Sequence, residues 1–120
     1  MATSELQVAV RERDGVAVID LTGDVNGAAG DALDRAYAEA AGLGVRSIAI
    51  NFERTEFINS TGIALIVGLL AQARTGRVEV RAFGLSDHYR EIFEITRLSD
   101  FMTISDDEDR AVSGTGGVAP

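Results

Sequence analysis

The segment Asn59-Ser60-Thr61-Gly62, which lies directly before a long apolar run, carries the residues best suited to chemistry in this chain. Asn, Ser and Thr are preferred at helix N-termini, because a side-chain oxygen can accept a hydrogen bond from a free backbone N–H. A hydroxyl at such a position is also a suitable phosphorylation site, since the helix dipole and the free N–H groups stabilise negative charge. The segment therefore predicts either a helix cap alone or a cap that also carries a phosphorylated hydroxyl.

Groups that could support catalysis are scarce in the rest of the chain. The sequence has one histidine, His88, and no cysteine. It also has no lysine, so the Gly-Lys-Ser/Thr phosphate-binding motif is absent, and Ser60 lies outside any Gly-x-Ser-x-Gly motif. We expect His88 in solvent in the first turn of a helix, and we interpret the acidic run at residues 106–109 as a helix N-terminus rather than a metal site. The sequence therefore predicts a protein that is not an enzyme and holds no metal or cofactor.

The overall charge and the apolar runs limit the classes of partner. The formal net charge is −8, which opposes nucleic-acid binding, because such binding depends on Lys and Arg contacts with phosphates. The longest apolar run, residues 63–71, is about half the ~20 residues that a membrane-spanning helix requires. The first residues carry charges where a signal peptide needs an apolar centre. We therefore expect a cytoplasmic protein that binds neither nucleic acid nor membrane.

Apolar periodicity predicts the elements that must position residues 59–62. Residues 6–13 and 16–21 predict two strands joined by a tight turn at Asp14 and Gly15, which both tolerate a positive φ. Further strands are predicted at residues 46–52, 77–84 and 101–104, and helices at 31–44 and 86–99, the second with Ser86 as its cap. The Ser-x-x-Glu pattern at residues 105–108 predicts a capping box, with Ser105 at the start of a last helix.

The apolar run after Gly62 is compatible with a buried strand or a buried helix when periodicity alone is considered. Its length, its Ala and Leu content and the N-cap residues before it favour a helix over residues 61–74. Because its apolar residues point in nearly all directions, we expect this helix to be buried on most of its circumference. Within it, Thr61 is expected to serve as a cap.

The order of the elements predicts the fold class. Two strands in a hairpin, followed by alternating helices and strands, indicate a mixed α/β fold whose sheet is mostly parallel, opened by the β-hairpin, with about four helices packed on it. We expect one domain over residues 1–112. Residues 113–120 are rich in small residues and predict a flexible C-terminal tail.

Four segments, in this order, resemble a known family: TGDVNGAAG, SIAINFERTEFINSTGIALIVGLL, AFGLSDHYREIFEITRL and FMTISDDEDRAV. Over residues 6–112 the chain resembles a STAS domain, the fold of bacterial anti-sigma factor antagonists. In that family a similar Gly-Asp turn follows the second strand, and an Asp/Asn-Ser-Ser/Thr-Gly element opens a hydrophobic helix. The resemblance implies a STAS-like fold.

The resemblance also implies a function. In the unphosphorylated state the protein would bind an anti-sigma factor, a kinase of the histidine-kinase ATPase type, and so regulate sigma-factor-dependent transcription. That kinase would bind the ATP and phosphorylate a serine, which releases the antagonist, and a PP2C-type phosphatase would reset it. The matching phosphoacceptor is Ser60, and the implied partner-binding residues are Asp24, Asn26, Asn59, Ser60, Thr61 and Gly62.

Asn51 and Asn59 stand where the family usually has aspartate, and Asn59 favours a second interpretation. In that interpretation the chain is an unswitched STAS adaptor subunit of a lipid-transport or signalling assembly.

Overall fold

A five-stranded sheet forms the centre of the protein, in the spatial order β1-β2-β3-β4-β5. A computed structural model describes residues 5–114. Strand β1 pairs antiparallel with β2, and every later pair of neighbours is parallel. The strands are β1 (Gln7–Arg13), β2 (Val16–Thr22), β3 (Ser47–Arg54), β4 (Glu79–Phe83) and β5 (Thr103–Ser105). The predicted mixed, mostly parallel sheet is therefore confirmed, as is the opening hairpin, whose turn has φ of 52° at Asp14 and 83° at Gly15.

Helices cover both faces of the sheet. The described residues form α1 (Gly30–Ala41), α2 (Ser60–Thr75), α3 (Asp87–Ile95) and α4 (Glu108–Ser113), with short 3-10 turns at Gly27–Ala29 and Leu98–Asp100. The main core joins α1, α2 and α3 to one face of the sheet, whereas a smaller apolar cluster joins α4 to the other face. No helix within residues 5–114 is long and apolar enough to cross a membrane.

Helix α2 forms as predicted, but its predicted burial on most sides is wrong. The buried residues lie on one face, at Gly62, Ile66, Leu69, Leu70 and Ala73. On the opposite face Val67 is 48% exposed. The sheet and α1 cover only one side of α2, and apolar composition alone could not reveal that the other side has no neighbour within the described residues.

The last helix starts later than predicted. Ser105 belongs to β5, where it pairs with Phe83 and is buried, so it cannot cap a helix. Asp107 is the cap instead, since its side chain accepts a hydrogen bond from the N–H of Arg110 at 2.9 Å. Helix α4 includes Ser113, and Gly114 ends it with φ of 77°. The rest of the predicted tail, residues 115–120, lies outside the described residues.

The parallel arrangement determines where the loops meet. Because β2, β3 and β4 are parallel neighbours, their C-terminal ends lie along one edge of the sheet. The loops that follow these strands therefore meet at this edge. Residues 59–62, which follow β3, are thereby brought beside the turn that follows β2.

Candidate functional site

Two loops are joined by backbone hydrogen bonds at this edge of the sheet. Val25, in the loop after β2, forms an isolated parallel bridge with Ile58, in the loop after β3. The N–H of Val25 donates to the carbonyl of Phe57 at 2.9 Å, and the N–H of Asn59 donates to the carbonyl of Val25 at 3.2 Å. This pairing holds the loop that carries Asp24 and Asn26 against the start of α2.

Asn59 caps α2, and Ser60 is the first residue of the helix. The Asn59 Oδ1 accepts a hydrogen bond from the N–H of Gly62 at 2.8 Å, and the Asn59 carbonyl accepts from Ile63 at 2.9 Å. Ser60 is exposed to solvent. Thr61 is also exposed, within the first turn, so the prediction that Thr61 serves as the cap is wrong. Asn59 takes that role because its extended backbone directs its side chain at the free N–H of Gly62.

At Gly62 the backbone of α2 lies directly against the loop that follows β2. Gly62 is buried in the first turn of α2. A Cβ atom on Gly62 would overlap the carbonyl oxygen of Val25. Only glycine therefore lets the helix start directly under the loop after β2.

The remaining predicted residues flank this contact. Asn26 caps the 3-10 turn at Gly27–Ala29, with its Oδ1 accepting from the N–H of Ala28 at 2.9 Å. A Cβ atom on Gly27 would be 3.4 Å from the Thr61 γ-methyl group, so the 3-10 turn and the first turn of α2 are close together there. Asp24 is half-buried on the other side of Val25. The six predicted residues thus lie in the loop after β2 and at the start of α2, which the backbone pairing joins.

One residue that holds this site was missed from the sequence. The Tyr89 hydroxyl, on α3, accepts a hydrogen bond from the N–H of Ile58 at 2.9 Å. The helical spacing of Tyr89 and Phe93 indicates only an apolar face of α3, and Tyr89 is buried in the core. Periodicity carries no information about where a phenol oxygen points.

The exposed side of α2 extends from Ser60 as an apolar surface. We call it the Ser60 face, and it consists of Ser60, Ala64, Val67, Gly68 and Ala71. These residues follow helical spacing, so they share one side of α2. This side of α2 therefore presents small and apolar side chains to solvent, with Val67 as its largest residue.

Known families provide an independent comparison with this arrangement. A family model described as STAS domain matches residues 7–111 of the chain. The chain belongs to the STAS domain family. An anti-sigma-B factor antagonist of Staphylococcus aureus strain NCTC 8325 is 36% identical over 63 residues, which are 52% of this STAS domain and 58% of that relative. The matched segment thus spans little more than half the length of the relative.

Solved structures resemble this STAS domain over nearly all of its length. The crystal structure of an anti-sigma factor antagonist from Mycobacterium paratuberculosis has a TM-score of 0.78 and 17% identity, covering 95% of this chain and 97% of that one. The structure of the Bacillus cell fate determinant SpoIIAA in its phosphorylated form has a TM-score of 0.66 and 24% identity, and the match covers 91% of this chain and 97% of that one. At these identities the likeness concerns the fold.

Asn51 of this STAS domain has a defined structural role at a position where aspartate was expected. Its Nδ2 donates to the carboxylate of Asp20 at 2.8 Å, and its Oδ1 accepts from the N–H of Glu53 at 2.9 Å. Arg11 holds the pKa of Asp20 below its usual value by hydrogen bonding to it, and Asn51 contributes in the same direction. An aspartate at position 51 would place two carboxylates in contact, so the amide suits this site.

One histidine and several carboxylates accompany Ser60 in the segments that follow β2, β3 and β4. His88, the histidine of α3, is exposed and stacks edge-on against Tyr89, with ring centroids 4.9 Å apart. Within residues 5–114 no group of three or more His, Asp or Glu side chains could hold a metal ion. Asp24, Glu56 and Asp87 belong to the segments that follow β2, β3 and β4, which lie at the same edge of the sheet as Ser60.

Proposed function

We propose that this STAS domain is a cytoplasmic anti-sigma factor antagonist that is switched by phosphorylation of Ser60. The names of its relatives support the antagonist role. The observation that carries the switch is the position of Ser60, an exposed hydroxyl at the first residue of a helix of 16 residues, at the end of the apolar Ser60 face. A modification at this point changes the charge of the surface that a partner would cover.

In the unphosphorylated state, an anti-sigma factor binds over the Ser60 face. Burial of Val67 and the alanine side chains would supply apolar contact area, which is the main favourable term in such association. Gly68 leaves open space within 4 Å of its missing Cβ, so a partner helix can approach the backbone of α2 closely. The small, neutral Ser60 hydroxyl fits within such a contact at little cost.

The anti-sigma factor is also the kinase in this proposal, an ATPase of the histidine-kinase type. Ser60 Oγ attacks the γ-phosphorus of the ATP bound by the kinase, and a base of the kinase takes the hydroxyl proton. The new Oγ–P bond forms as the bond between the γ-phosphorus and the β,γ-bridging oxygen breaks, and ADP leaves. Asn59 keeps Ser60 at the helix start during this transfer, while the STAS domain contributes no catalytic group.

Phosphorylation weakens binding without unfolding the domain. The phosphate adds about −1.5 to −2 charges at one point. The N-terminus of α2 stabilises this charge locally through its dipole. The partner must instead remove water from a dianion at the end of an apolar contact, which costs free energy unless a cation is placed there. A PP2C-type phosphatase would restore the binding state by hydrolysing the phosphate.

Intact-mass analysis of the protein purified from its own host, followed by peptide mapping, tests this proposal. We expect a fraction heavier by one phosphate, mapped to Ser60, and its conversion to the lighter form by a PP2C-type phosphatase. If the protein is never phosphorylated while its partner is bound and active, the switch is wrong. The unswitched STAS adaptor would then be the better interpretation, because Asn59 provides the cap without the usual aspartate charge.

A further inference from the structure

We propose that Tyr89 is a positioning residue for the phosphorylation of Ser60, an inference that rests on the proposed function. Tyr89 lies on α3, whereas the segment that it contacts, at Ile58, follows β3. Its hydroxyl holds the segment before Ser60 through one buried hydrogen bond, from the N–H of Ile58 at 2.9 Å. The phenol oxygen thereby fixes the direction in which the chain enters α2.

The segment is held from two sides. On one side the carbonyl of Val25 accepts from the N–H of Asn59, and on the other side Tyr89 accepts from the N–H of Ile58. Successive backbone N–H groups point to opposite sides of an extended segment, so each contact fixes a side that the other leaves free. Ser60 follows directly after these two residues, and its orientation depends on both contacts.

Burial makes the Tyr89 contact difficult to replace with water. Ile58 is 5% exposed and Tyr89 is 9% exposed. An N–H group left without an acceptor at such a position carries an unfavourable desolvation cost. If the phenol oxygen is removed, the loop must move to bring the N–H of Ile58 to water or to another acceptor, and Ser60 moves with it.

The position of Tyr89 is restrained by contacts that do not involve Ile58. The Tyr89 N–H donates to the Ser86 hydroxyl, which caps α3, at 3.2 Å. Its ring is part of the main core, as is Phe93 one turn further along α3. Phe93 packs edge-on against Phe52 of β3, with ring centroids 5.8 Å apart. The position of the Tyr89 oxygen is therefore set by α3 and the sheet rather than by the loop.

Phosphoryl transfer is sensitive to such positioning. The acceptor oxygen must lie close to the phosphorus and in line with the bond that breaks, and a misplacement of about 1 Å can slow transfer by ~100-fold. Most of the apolar contact area of the Ser60 face lies at Val67 and beyond, about two helical turns from the end of α2 that the Tyr89 hydroxyl restrains. Loss of the phenol oxygen should therefore reduce the rate of transfer within the complex much more than it reduces formation of the complex.

The test uses Tyr89→Phe, with Ile92→Val as a matched control that removes one methyl group from the same helix, where it packs against the core, and keeps the Tyr89 hydroxyl. Phosphorylation of Ser60 is measured with each histidine-kinase-type anti-sigma factor of the host, separating kcat from KM, and hydrogen exchange is measured at the amides of Ile58 and Asn59. For Tyr89→Phe we expect kcat to fall by at least ~10-fold, with KM within about twofold and faster exchange at both amides. For Ile92→Val we expect kcat within about twofold of the parent after both are assayed well below their melting temperatures.

Two failures are distinguishable. If the parent itself accepts no phosphate at Ser60 from any of these kinases, the proposed function fails and the role of Tyr89 fails with it. If the parent is phosphorylated but Tyr89→Phe matches Ile92→Val in kcat, the proposed function stands and the positioning role is overturned. Faster exchange at Ile58 with unchanged kcat also overturns it, because the contact would then be structural only.

Discussion

Gly62 of α2 lies directly against the carbonyl group of Val25, so closely that a Cβ atom on Gly62 would overlap the carbonyl oxygen. The same carbonyl accepts the hydrogen bond from Asn59. One backbone group of the loop after β2 thus determines both how α2 starts and which residue can occupy its first turn. Ser60 lies between these two contacts in the sequence and is exposed to solvent.

Replacement of Gly62 by alanine should therefore disturb the site and the fold together. We expect Gly62→Ala to lower the free energy of unfolding by about 2 kcal/mol or more, because the added methyl group meets backbone that cannot move independently. Gly68→Ala is the matched control, since nothing lies within 4 Å of a Cβ at that position. There the better helix propensity of alanine should raise stability by about 1 kcal/mol.

Urea unfolding of the two glycine variants provides the measurement. Opposite shifts of the midpoint, downward for Gly62→Ala and upward for Gly68→Ala, would support the contact with Val25. If both variants shift in the same direction by similar amounts, the close approach of Gly62 to Val25 is wrong.

The sequence predicted the start of α2 but not the loop that meets it. The run of Asn, Ser and Thr before an apolar stretch indicates a helix N-terminus through local hydrogen bonding, which depends only on near neighbours in the chain. The contact of Gly62 with Val25 joins residues that are 37 positions apart in the sequence. Val25 is an apolar residue within a polar turn, which is a signal that this loop contains a buried side chain. The sequence does not indicate that Gly62 is the residue that Val25 contacts.

The two sides of α2 should respond differently to truncation. Leu69 is 3% exposed, so Leu69→Ala should lower the free energy of unfolding by about 2–5 kcal/mol, as expected for a large-to-small change in a core. Val67 is 48% exposed, so Val67→Ala should change it by no more than about 0.5 kcal/mol. Thermal or urea unfolding measures both, and equal losses would mean that the Ser60 face is covered in the free protein.

This asymmetry marks a limit of sequence periodicity. The apolar residues of α2 point in all directions, so the pattern predicted burial all round and could not separate a core face from a contact face. In α3 the helical spacing of Tyr89 and Phe93 among mostly polar residues does indicate the buried face, and both side chains are buried. An exposed apolar face is the feature that makes the pattern ambiguous.

The position of α4 depends on ion pairs that vary with pH. Glu108 pairs with Arg11 at 2.6 Å and with Arg13 at 2.8 Å. The hydrogen bonds from Arg11 lower the pKa of Glu108 from its ordinary value of 4.5 to about 2, against the opposing effect of burial. Because the folded-state pKa is the lower one, this carboxylate stabilises the fold above pH 4.5, and the contribution is lost as the pH falls towards 2.

Glu108→Gln tests this linkage. We expect the variant to be less stable than the parent at neutral pH, with the difference in free energy of unfolding shrinking steadily between pH 4.5 and pH 2. Chemical unfolding at several pH values measures the difference. A constant difference across that range would show that Glu108 acts by packing rather than by charge. The contact of Glu108 with Arg11 and Arg13 could not be predicted from the sequence, where the local pattern assigns Glu108 to a capping box with Ser105.

The binding of Ser60 variants to the partner tests the central claim most directly. The measurement is the dissociation constant of Ser60→Ala and Ser60→Asp for each histidine-kinase-type anti-sigma factor of the host, with and without ATP. We predict that Ser60→Ala binds like the parent and is not released by ATP, whereas Ser60→Asp folds normally and binds at least ~10-fold more weakly, about 1.4 kcal/mol. If Ser60→Asp binds as tightly as the parent, or if ATP releases Ser60→Ala as readily, Ser60 is not the switch.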